Sequence, residues 1–134
     1  MTILELAKSN RLFYLASPYS KYPLGLDKAH EDVACLGGVL LQAKVKFFCP
    51  ITHGHPISVH GGVDPRDHNL WLPAMAPLMN VCDAMLIAEL EGWRDSYGIG
   101  EEIKTFRSAG KAVLRLCPRT LRVQAHSDQR ELDG

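Results

Sequence analysis

The residues best suited to do chemistry lie in one nonapeptide, Asp95-Ser96-Tyr97-Gly98-Ile99-Gly100-Glu101-Glu102-Ile103. Gly98 and Gly100 at the start of a helix let a ligand approach bare backbone amides, and the helix dipole favours an anion there. Ser96 can cap that helix or give its hydroxyl to a phosphate. The two glutamates are not equivalent. Ile99, Ile103 and Phe106 define an inward face, and Glu102, three residues after Ile99 and four before Phe106, lies on its edge. Glu101 falls in line with Thr105 and Ser108, a solvated row. A carboxylate held against apolar neighbours is either a nucleophile or base, or a stabiliser of the first helical turn. On pattern alone both readings stand.

A rival constellation is rich in histidine. His53, His55, His60 and His68 fall within sixteen residues, alongside Asp64 and Asp67. H-x-H with a carboxylate suits zinc, although two histidines two apart in a Gly/Pro segment form a loose pattern. Cys35, Cys49, Cys82 and Cys117 are widely spaced with no C-x-x-C, so reduced, mostly buried thiols are expected rather than a disulfide or zinc framework. Nothing beside Cys82 in sequence argues for an activated thiolate.

These residues need a scaffold. Arg11 to Ser17 is a short apolar run that reads as a buried strand. A helix follows from about Leu26 to Lys44, its apolar positions Leu26, Ala29, Val33, Leu36 and Leu40 stepping by 3, 4, 3 and 4. Gly37 and Gly38 either weaken it or let it pack closely on a sheet. Val45 to Cys49 is a second strand. Ile51 to Arg66, rich in Gly, Pro and His, reads as a long functional loop. A helix starting at Asp67 or Asn69 runs to about Val81 despite Pro73 and Pro77. Asp83 to Ala88 is the third strand, and Asp83, at a strand start, reads as structural. Ile99 to Ala109 is a helix ended by Gly110 at C′, and Ala112 to Cys117 is the fourth strand. Residues 119–134 read as a mobile tail.

Strands alternating with helices imply a flavodoxin-like α/β domain, a parallel sheet covered on both faces. For strand order 2-1-3-4 the ligand mouth opens between strands one and three, beside SPYS and EGWRDSYGIGEE. The chain has 134 residues, enough for one domain, placed at 1–118. Fifteen Lys and Arg against fifteen Asp and Glu, with pI ≈ 7.0, remove any whole-protein electrostatic case for polymeric nucleic acid or anionic membrane. At 46% hydrophobic and 22% charged the composition is globular. No apolar run approaches the ~18 residues of a membrane span. The N-terminus carries Glu5 and lacks a signal-peptide h-region, so a cytoplasmic location is expected.

YLASPYS at Tyr14 to Ser20, FFCPITHGHPIS at Phe47 to Ser58, CDAMLIAELEGW at Cys82 to Trp93, and SYGIGEE at Ser96 to Glu102 resemble the nucleoside 2-deoxyribosyltransferase-like superfamily. The likeness spans about Arg11 to Pro118 and is greatest to a bacterial and phage branch with the signature W-x-x-S-x-G-x-x-x-E. The resemblance implies that a glutamate attacks the anomeric carbon of a deoxynucleoside, releases the base and leaves a glycosyl-enzyme ester for water or a second base to resolve. On that likeness Glu102 matches the nucleophile and Tyr14 the tyrosine that holds it. Ser96 matches a position that is Asp in the transferases and a phosphate-contacting Ser in the 2′-deoxynucleoside 5′-phosphate N-hydrolases, since a carboxylate there would repel a phosphate. Ser17, Tyr19, Ser20 and Lys21 would complete a phosphate cradle, and His55 and Trp93 would stack on or bond the base as a lid. Trp93 reads equally as a loop anchor, and Trp71 as core.

One departure matters. The superfamily's proton-donating helix aspartate sits eight residues before the strand-three aspartate, which here is Met75. Asp67 and His68, about two turns earlier on nearly the same face, are the substitutes. The expectation is therefore N-glycosidic cleavage or transfer on deoxynucleosides, preferably 5′-monophosphates, with no cofactor or metal and, by resemblance, in a homo-oligomer. The alternatives are a non-catalytic nucleotide-binding module, which Met75 favours, and a metal-dependent hydrolase built on His53 and His55.

Overall fold

The computed structural model describes residues 1–127. Five strands form one sheet: β1 (Leu12–Ala16), β2 (Lys46–Phe48), β3 (Ala84–Ala88), β4 (Ala112–Leu116) and β5 (Val123–Ala125), in the order β2-β1-β3-β4-β5. The first four are parallel and β5 runs antiparallel to β4. The helices are α1 (Ile3–Ser9), α2 (Leu26–Gln42), α3 (Pro50–Gly61), α4 (His68–Val81) and α5 (Tyr97–Ser108). This is an α/β flavodoxin-like fold.

Alternation along the strands sorts side chains into two layers. Phe13 and Leu15 of β1, with Ala84, Leu86 and Ala88 of β3, join α1 and α2 in an apolar layer that includes Leu6, Val33 and Leu40. Tyr14, Ala16, Met85 and Ile87 face the other way, onto Met79 of α4 and Ile99 and Phe106 of α5. β1 and β3 pair in the register Tyr14↔Met85, and Asp83 fixes it at the strand starts. Its carboxylate accepts the Leu12 amide at 2.7 Å and its own amide donates to the Leu12 carbonyl at 2.8 Å, the structural role expected of it. Gly37 packs as expected against the sheet, where a Cβ would lie 3.3 Å from the Phe47 ring. The strand order reverses between β1 and β3, and there the crevice opens.

Three expectations need correction. The long loop over Ile51 to Arg66 is instead mostly helix α3, with Pro50 at its first turn and Gly62 closing it at φ 70. Gly54 and Pro56 erase the helical pattern, but Pro50 presets the first turn and contacts with α2 and β1 supply what propensity lacks. The tail expected from residue 119 is held in place where it is described. Its β5 covers the β4 edge, the Val123 amide donates to the Met1 carbonyl at 2.8 Å, and Thr2 bridges Arg122. Residues 128–134 lie outside the described residues. Of the four cysteines, all free, Cys49 and Cys82 are buried, but Cys35 is exposed and Cys117 half-buried. Helix α1 had no counterpart in the sequence reading. Its Leu6 packs into the apolar layer, and Asn10 closes it in the left-handed region at φ 58.

Candidate active site

Four segments converge on one cleft. The end of β1 and its loop bring Tyr14, Ser17, Tyr19 and Ser20; α3 brings Gly54, His55 and Ser58. The start and middle of α4 bring His68, Trp71 and Met75, and α5 brings Gly98, Ile99 and Glu102 behind Ser96. The cleft is open to solvent, and its enclosed part is a cavity of about 100 Å³.

Glu102 is the cleft's buried carboxyl. It is 7% exposed, as its position on the inward edge of α5 predicts, while Glu101 sits outward with Lys104 3.1 Å away. Desolvation pushes the Glu102 carboxyl up to about 7, and the Tyr14 hydroxyl beside it pulls the other way. Tyr14 is fully buried, tilted against Phe48 and Phe106, and its hydroxyl is pushed far up by burial and by the Glu102 charge. The two groups are close enough to perturb each other. Yet among the described residues the Tyr14 hydroxyl meets no partner in regular hydrogen-bond geometry, and neither does the buried Ser17 hydroxyl. A buried hydroxyl without a partner costs about 1–3 kcal/mol. Two of them and a buried carboxyl are unmet demands in one place, and all three groups line the cleft.

The anion end is built at α5. The Ser96 hydroxyl oxygen accepts the Ile99 amide at 3.2 Å, the expected cap, and its proton stays available to a ligand. Lys21, Ser20, Ser96 and Tyr97 line a smaller hollow that shares Tyr19, Ser20, His68 and Ser96 with the main cleft. Gly98 lines the cleft, whereas Gly100 does not, although nothing lies within 4 Å of where its Cβ would be.

His55 sits 8% exposed between two partners. Its Nδ1 is 2.6 Å from the Tyr19 hydroxyl, and its Nε2 is 2.9 Å from a carboxylate oxygen of Asp27 at the start of α2. The His30 ring stacks on it at 4.6 Å between centroids. The other histidines are apart: His53 packs on Phe48 and His68 on Tyr97. Among the described residues no three His, Cys, Asp or Glu side chains are placed to hold a metal ion, so the zinc constellation read from spacing is not assembled.

Of the two readings open for Trp93 the loop anchor is the one observed, while Trp71 departs from its expected place in the core. Trp93 does not line the cleft; it anchors its loop under Arg94, 4.3 Å above the ring, and against His126. Trp71, expected in the core, is half-buried on the cleft wall, its indole N–H on the Asp64 carbonyl at 2.9 Å and its ring 3.1 Å from where a Gly54 Cβ would be. A bulkier residue at Gly54 would displace it. Of the two substitutes for the missing acid, His68 lines the cleft and Asp67 does not. Met75 lines it too, 8% exposed, so the α4 position in question is apolar. Burial pushes the Cys82 thiol up to about 11, the opposite of an activated nucleophile. Asp27 and Trp71 carried no sequence signal. Asp27 reads as a first-turn helix acid, and only the pairing of β2 beside β1 brings α3 against α2.

A family model described as a domain of unknown function, DUF1937, matches residues 11–118. No curated protein matches the chain. The match spans the sheet through β4 and every segment that lines the cleft, so the chain belongs to the DUF1937 family.

Proposed function

We propose that this DUF1937 chain is a glycosidase or glycosyltransferase acting on 2′-deoxynucleosides, and preferentially on their 5′-monophosphates, through a covalent ester on Glu102. The observation that carries this reading is the pairing of one buried carboxyl, poised near neutrality, with the Tyr14 hydroxyl at the floor of a cleft. A carboxyl raised toward neutrality still ionises at neutral pH, and desolvation keeps its carboxylate reactive. The Glu102 carboxylate forms a bond to C1′ as the C1′–N bond breaks, and Tyr14 steadies the carboxylate oxygen that does not attack. The likeness of SYGIGEE and YLASPYS to the nucleoside 2-deoxyribosyltransferase-like superfamily supports the same assignment. The hollow lined by Lys21, Ser20 and Ser96 at the α5 N-terminus suits a 5′-phosphate, and Trp71, rather than Trp93, offers a ring to the base.

Incubation of the purified protein with each deoxynucleoside 5′-monophosphate, with free base measured by chromatography, tests this directly. Base release that disappears in Glu102→Gln supports it. A second reading, a nucleotide-binding module without turnover, is favoured by apolar Met75. Binding by calorimetry with no release of any base would establish that module instead.

A further inference from the structure

The glycosidic reading, on which this inference rests, needs a proton donor for the departing base, and the cleft-lining α4 position Met75 cannot be one. Another part of the cleft lining supplies one. We propose that Asp27, His55 and Tyr19 form a proton relay that ends at the leaving base, with Tyr19 as its general acid.

The chain of bonds runs from solvent to the cleft. Asp27 has a 90% exposed side chain, His55 is buried, and Tyr19 is half-buried and lines the cleft, as Glu102 does. Both His55 ring nitrogens are engaged, at 2.9 Å to Asp27 and 2.6 Å to Tyr19, so the ring is fixed in rotation. This is the logic of a carboxylate that orients an imidazole, which in turn serves a hydroxyl. His30, stacked on that ring, is held below its usual range by burial and by His55. Arg66 donates to the Ser20 carbonyl at 3.4 Å and places a cation near Tyr19.

The protons balance. With His55 doubly protonated, its Nε2–H donates to Asp27 and its Nδ1–H to the Tyr19 oxygen, which turns the hydroxyl proton into the cleft. As Glu102 bonds to C1′, the C1′–N electron pair goes to the base nitrogen. That nitrogen takes the Tyr19 proton, and Tyr19 takes the Nδ1 proton, leaving His55 neutral. In the second half water bonds to C1′ and Glu102 leaves as carboxylate. The water proton passes to Tyr19, whose own proton returns to Nδ1. No phenolate accumulates, so the burial that makes Tyr19 a weaker acid by itself does not stop the relay.

The test compares wild type, Tyr19→Phe and Asp27→Asn on the four ordinary deoxynucleoside monophosphates. It adds two activated donors that carry 7-methylguanine and 5-nitrouracil, bases that depart without an added proton. Tyr19→Phe should slow base release from ordinary donors by about 10²–10⁴-fold and from activated donors by less than about 5-fold. Asp27→Asn, at the solvent end of the relay, should show the same selectivity with a smaller loss, about 10-fold. Equal losses on both donor types, or none, overturn the relay, and melting curves confirm the fold of each variant. The donor-selective loss appearing in His68→Ala instead would move the acid to α4, overturning the relay while the glycosidic reading stands. Absence of release from every donor by folded wild type overturns both.

Discussion

The two faces of the sheet are built from the same strands and differ in what they bury. Toward α1 and α2 the layer is wholly apolar, from Leu6 and Phe13 through Val33 and Leu40 to Leu86 and Leu116. Toward α4 and α5 the strands present Tyr14 and Met85, and the helices add Met79, Met75 and Glu102. Among the described residues the first face is held by an apolar cluster that contributes stability. The second carries two hydroxyls without partners and a carboxyl whose ionisation burial opposes. A fold that tolerates such costs on one face and packs an apolar cluster on the other has separated its scaffold from its site.

That separation is broken most severely at Glu102. Glu102→Gln should abolish base release, at least ~10³-fold, while Glu101→Gln on the solvated row changes it less than about 3-fold. Equal losses in two folded variants would show that the helical face was misassigned. The opposite face should respond in the opposite currency. Leu86→Ala, fully buried in the central strand β3, should cost about 2–5 kcal/mol and lower Tm by roughly 10 °C, with base preference unchanged.

The same glutamate should act against stability. Folding raises its pKa from 4.5 to about 7, so the folded state holds the proton more tightly than the unfolded chain does. The stability this gives is fully present below pH 4.5 and is lost as pH rises through about 7. The loss is about 3 kcal/mol, at ~1.4 kcal/mol for each tenfold change in proton affinity. Gln does not ionise. Glu102→Gln should therefore match wild type in urea melts near pH 4.5 and exceed it by up to about 3 kcal/mol at pH 8. A difference independent of pH would contradict the burial argument. The wild-type kcat/KM should show an acid limb near 7, and Tyr14→Phe should move that limb upward, because the lost hydroxyl helps the carboxylate form.

How much of this was legible follows from how local each signal is. The α5 helix could be read residue by residue, since periodicity, the Ser96 cap and Gly110 after its end all lie within the segment. Glu102 was placed inward by the same local argument, and the four parallel strands followed from their apolar runs. The α3 helix was not legible, because Gly54 and Pro56 mimic a loop and what holds the segment are contacts with α2 and Trp71. The cleft-wall place of Trp71 and the loop-anchor place of Trp93 have the same root. Each was judged by its neighbours in sequence, and each is placed by neighbours in space. Three-residue β5 has no period to detect, and it exists because the β4 edge offers a partner.

The smallest expected effect tests the α5 end of the second face. Ser96→Asp keeps the cap, since aspartate accepts the Ile99 amide as well as serine does, and its charge suits a helix N-terminus. Stability should stay within about 0.5 kcal/mol. What changes is the ligand: a carboxylate in the hollow with Lys21 and Ser20 would repel a phosphate and remove a hydroxyl donor from it. A charge-assisted bond is worth about 1.5–3 kcal/mol, so monophosphate affinity should fall at least ~10-fold while affinity for the bare deoxynucleoside holds or rises. Calorimetry on both ligands with both proteins reads the four affinities. If wild type binds the two ligands equally and Ser96→Asp changes neither, the hollow does not take the phosphate, and the chemistry of this face ends at Glu102 and Tyr14.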